Sequence, residues 1–129
     1  MDAFVQPLYE LADFDAIIRQ LKKPGIVQVS GCLDSQKAHF TNGLLREFPF
    51  RLIVAENDLK AKAFYEDFRL YDPEVLYYPA RDLIFYQADI HGNLLTRQRI
   101  QVLRALLERE EVTIVTSIDS CLDCLVPLA

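Results

Sequence analysis

The residues with the clearest capacity for chemistry are Gly31-Cys32-Leu33-Asp34-Ser35-Gln36-Lys37-Ala38. They follow a β-branched apolar run, Ile26-Val27-Gln28-Val29, and lead into a segment of helical period, where open α/β sheets place phosphate-binding loops. Against the pattern G-x-x-x-x-G-K-[ST], Gly31 and Lys37 are in register, whereas Gln36 stands at the second glycine and Ala38 at the hydroxyl residue. Both replacements fall on the chemistry. A side chain at Gln36 obstructs the backbone from curling around a β-phosphate, and Ala38 has no oxygen to offer Mg²⁺, which leaves Lys37 and a helix N-terminus to attract an anion. The expectation is a loop of phosphate-binding shape without its ligand. No cofactor is expected, and Gly31, Ser35, Gln36, Lys37 and Ala38 are vestigial positions. Nucleotide hydrolysis also needs an acidic pair at a strand end to hold Mg²⁺ and position water. The late-strand acid here is Asp119, followed by Ser120.

The other candidates are less specific. Cys121-Leu122-Asp123-Cys124 is a C-x-x-C, which elsewhere supports redox exchange or zinc binding. A tetrahedral zinc site needs four ligands, and Cys32, His39 and His91 supply no second closely spaced pair, so small buried side chains are the expected reading and no metal site is assigned. His39 and His91 sit far apart, without a Ser/Asp or Cys/Asn constellation, and fit surface or capping roles. Arg97, Arg99 and Arg104 form a local basic cluster diluted by Glu108, Glu110 and Glu111, which reads as a solvated face. Tyr77, Tyr78, Phe85 and Tyr86 could stack on bases or a partner domain, or complete a core.

These positions lie in a chain of 129 residues, 51% hydrophobic and 26% charged, the size of one domain with its own core. The net charge is −5 and the pI about 5.0, so no strong positive field favours autonomous nucleic-acid binding. Three cysteines in such a chain do not resemble a secreted disulfide framework, which points to a reducing cytoplasm. Neither a signal peptide nor a membrane span is evident.

Short β-branched runs alternate with helical segments, the pattern of an α/β fold with a mainly parallel sheet. Strands are expected at Ile26–Val29, Arg51–Ala55, Val75–Tyr78 and Val112–Thr116. Helices are expected over about Asp13–Lys22, Ser35–Glu47, a segment capped by Asn57 with Ala61, Phe64, Phe68 and Tyr71 on one stripe, and Leu94–Glu110 with Ile100, Leu103 and Leu107 buried. Pro79–Asn93 reads as a long loop and Ile118–Leu125 as a short terminal segment. No repeat or linker divides the chain, so a single domain over 1–129 is expected. It stops where another βα unit belongs, which suggests a fragment.

Leu52-Ile53-Val54-Ala55-Glu56-Asn57, Phe64-Tyr65-Glu66-Asp67-Phe68, Tyr78-Pro79-Ala80-Arg81-Asp82 and the stretch from Arg97 to Ser117 together resemble the N-terminal module of bacterial transcription-repair coupling factors. That module is itself similar to the first domain of the excinuclease B subunit. The resemblance covers almost the whole chain and implies a P-loop NTPase-like, three-layer fold of helicase type. Gly31 to Ala38 would take the place of motif I, Val54 to Asn57 of motif Ia, and Thr116-Ser117 of motif Ib; the chain ends before the acidic motif II. Gln36 and Ala38 place the sequence with the coupling factors, whose module has lost motif I. The segment Pro79–Asn93 is too short for the excinuclease subunit's DNA-clamping hairpin. The implied parent is an ATP-dependent DNA translocase that removes stalled RNA polymerase and recruits nucleotide excision repair through the excinuclease A subunit. This part would be a non-catalytic scaffold packed against other domains of its own chain; a nucleotide- or flavin-binding α/β module is the alternative. Phosphate release by the 129 residues with Mg-ATP is expected to stay at the protein-free rate in a steady-state assay.

Overall fold

In a computed structural model, residues 3–80 and 89–122 are described, with side chains between 89 and 93 excepted. The chain divides into two compact units, Met1–Phe48 with Asp67–Pro73, and Pro49–Glu66 with Glu74–Ala129, which are taken in turn.

In the first unit a 3-10 turn, Gln6–Glu10, precedes helices α1 (Phe14–Leu21) and α2 (Asp34–Leu45). The turn, with Pro7 in its first positions, was not among the expected elements. It exists to close the core: Val5, Leu8, Phe14 and Ile18 are buried together, with Phe40 and Leu44 packed against them. Phe14 is the hub, meeting Tyr9 at 5.1 Å and Phe40 at 5.7 Å in edge-to-face geometry. Gly43 lies where α2 approaches Leu8 and Phe14, so the residue that weakens helix propensity is the one that lets this contact form.

The strand expected at Ile26–Val29 is not formed. The segment has no regular secondary structure, it pairs with no strand among the described residues, and Ile26 is 99% exposed. A short β-branched run favours extended backbone; only a neighbouring strand with matching donors and acceptors makes it part of a sheet.

The second unit holds a parallel three-stranded sheet in the order β1–β3–β2, with β1 Phe50–Ala55, β2 Leu76–Tyr78 and β3 Val112–Ser117. This small sheet and its helices are an α/β arrangement. Central β3 is buried at all six positions, as expected for a parallel strand paired on both sides. On the edge strand β1 exposure alternates, and Phe50, Leu52 and Val54 form its open face. Helix α3 (Asp58–Phe68) begins where Asn57 was expected to cap it: Asn57 Oδ1 accepts the Lys60 N–H at 2.9 Å. Ala61 and Phe68 of the expected stripe are fully buried, but the helix ends at Phe68, in a stretch that belongs to the first unit, so Tyr71 lies in the following turn and not on the helix.

Helix α4 runs over Asp89–Glu108, so part of the expected loop Pro79–Asn93 is helical. Its buried face also differs from expectation. Arg99, Val102 and Ala105 face inward, while Ile100, Leu103 and Leu107 are exposed. The helix is turned by one residue because small Val102 and Ala105 allow close approach to Tyr78, Val112 and Ile114 of the sheet. The short helix α5 (Ile118–Cys121) follows β3.

Gly43→Val adds methyl groups against Leu8 and Phe14 and is expected to destabilise the protein by about 1–3 kcal/mol. A chemical-denaturation midpoint equal to the unmodified protein's would contradict this packing.

Candidate functional site

Two places qualify on physical grounds, the start of α2 in the first unit and the C-terminal edge of the sheet in the second. The α2 start is shaped by Gly31, whose φ of 87° lies in the left-handed region that favours glycine. Leu33 is the extended N-cap residue, and it has no side-chain acceptor for the helix's first N–H groups. The following residues supply the compensation. Gln36 Oε1 accepts the Leu33 N–H at 3.4 Å, and Lys37 Nζ donates to Asp34 Oδ1 at 2.5 Å. Asp34 thus brings a carboxylate into the first turn, where the positive end of the helix dipole favours it.

Within the expected phosphate loop, Gly31, Ser35, Gln36 and Lys37 are exposed and Ala38 is only 1% exposed. Ala38 therefore belongs to the packed side of α2; a hydroxyl there would face the interior. An anion approaching this turn meets Asp34 already beside Lys37. The pair is exposed, and its net worth to stability is about 0–1 kcal/mol. Its effect on a triphosphate is larger in kind, because it places negative charge where the ligand's charge would go.

The C-terminal edge is where open parallel sheets present their ligand-binding loops. Here Asp58, in the first turn of α3, reaches across to the end of β2. Its Oδ1 accepts the Tyr77 hydroxyl and the Ala80 N–H, the latter at 3.3 Å. Burial, reinforced by this hydrogen bond and the negative charge of Asp58, pushes the Tyr77 phenol well above the ordinary tyrosine range. Tyr65 lies against the Tyr77 ring at 5.4 Å. One strand over, Thr116 Oγ1 donates to the Tyr78 carbonyl at 3.0 Å. Ser117 caps α5 by accepting the Ser120 N–H at 3.3 Å, and the two hydroxyls lie 3.0 Å apart. Arg99 closes the group: its Nη1 donates to the Pro79 carbonyl at 3.1 Å while the guanidinium stands 4.4 Å from the centre of the Tyr78 ring.

The edge is thus a set of internal ties that fix the exits of all three strands. Of the basic cluster, the solvated reading fits Arg97 and Arg104, which are exposed, Arg104 pairing with Glu108 at 2.8 Å. It does not fit Arg99, which is only 7% exposed because the Pro79 carbonyl and Tyr78 ring replace its water. Asp119 is exposed in the first turn of α5. His39 stacks on Tyr71 at 5.3 Å, and its Nε2 is hydrogen-bonded to the Phe4 carbonyl, so it fastens the N-terminal segment within the first unit. Cys32 is half-buried and Cys121 exposed, both as free thiols, so burial does not extend to Cys121. Cys124, Phe85, Tyr86 and the His91 side chain lie outside the described residues. Among the described residues no cluster of His, Cys, Asp or Glu is arranged to hold a metal ion.

Asp58 and Arg99 were missed as organising residues. The available signal for Arg99 was phase: Arg99, Val102 and Ala105 recur every third residue, on a different face from Ile100, Leu103 and Leu107. For Asp58 there was none, since its partners Tyr77 and Ala80 are remote in sequence. No family model, curated protein or solved structure matches the chain.

Tyr77→Phe is expected to cost about 1–2 kcal/mol near neutral pH by leaving the Asp58 carboxylate short of a donor. The folded state holds the Tyr77 proton more tightly than the unfolded state. Its stabilisation is complete below about pH 10 and is lost as the pH rises beyond that value. Denaturation midpoints should therefore fall less steeply above pH 10 in Tyr77→Phe than in the unmodified protein. Parallel curves would count against the tie.

Proposed function

We propose that this chain is a non-catalytic N-terminal scaffold part of a transcription-repair coupling factor, with a P-loop NTPase-like fold whose phosphate loop is degenerate. Its parent would be an ATP-dependent DNA translocase of the cytoplasm that removes stalled RNA polymerase. The parent's further partners would be double-stranded DNA and the excinuclease A subunit. This part's own partners would be other domains of the same chain.

One observation carries the reading: the start of α2 answers its own charge. Asp34 holds Lys37, Gln36 bonds the Leu33 N–H, and Ala38 is turned into the packed side of the helix. Each of these removes something a Mg-triphosphate requires: a free cation, an open backbone cradle and a hydroxyl for the metal. The resemblance in Leu52–Asn57, Phe64–Phe68, Tyr78–Asp82 and Arg97–Ser117 supports the assignment of family. The ties at the sheet edge support a structural role for residues within and beside these stretches, since Asp58, Tyr77, Arg99, Thr116 and Ser117 spend their polar groups on one another and on nearby groups.

The test is made in the parent protein. Lys37→Ala is expected to leave DNA-dependent ATP turnover within about twofold of the unmodified protein, because the motor's own phosphate loop does the hydrolysis. A fall of the order of a hundredfold would place Lys37 in a working nucleotide site and sink the scaffold reading. Saturable binding of an adenine nucleotide or flavin to residues 1–129 would favour the alternative of a ligand-binding module.

A further inference from the structure

We draw no further inference here: the strongest candidate, the apolar surface patch of Phe50, Leu52 and Val54 along one face of the edge strand β1, carries nothing because nothing in the structure shows what covers it.

Discussion

Strand β3 is the constraint on which the sheet depends. It pairs in parallel with β1 along six residues and with β2 along three, and no position along it is exposed. A parallel strand in that position must be apolar or internally bonded at every side chain, since neither face meets water. Val112, Ile114 and Val115 satisfy the first condition, and Thr116 meets the second through the Tyr78 carbonyl. The register follows, and with it the alignment of the three strand exits at one edge. Asp58 and Arg99 then fasten the backbone at Tyr77 to Ala80 from two different helices.

The same economy governs the start of α2. A helix N-terminus and a lysine are a ready anion site only while their positive ends are unanswered. Here the first turn provides a carboxylate and a carboxamide of its own. The two places in the chain where an α/β fold usually meets its ligand thus share one character: side chains that would recognise a ligand are bonded to other parts of the protein.

Much of this was legible in the sequence, and what was not has a common cause. Asn57 and the runs Leu52–Ala55 and Val112–Thr116 act locally, through a cap and a β-branched pattern, so the start of α3 and the strands β1 and β3 fall where expected. Gln36 and Ala38 stood out because they break a spacing with a known mechanism. The failures involve partners remote in sequence. Ile26–Val29 has strand composition and lacks a strand to join. The buried face of α4 is set by a contact to Tyr78 and Pro79 rather than by the bulk of Ile100 and Leu107. Asp58 reads as an ordinary first-turn acid until β2 is brought beside it.

Calorimetric titration of residues 1–129 with Mg-ATP tests most directly whether the turn after Gly31 can grip a triphosphate. The expected result is heat of dilution alone. A saturable, magnesium-dependent isotherm with a dissociation constant in the low micromolar range, abolished by Lys37→Ala, would contradict it.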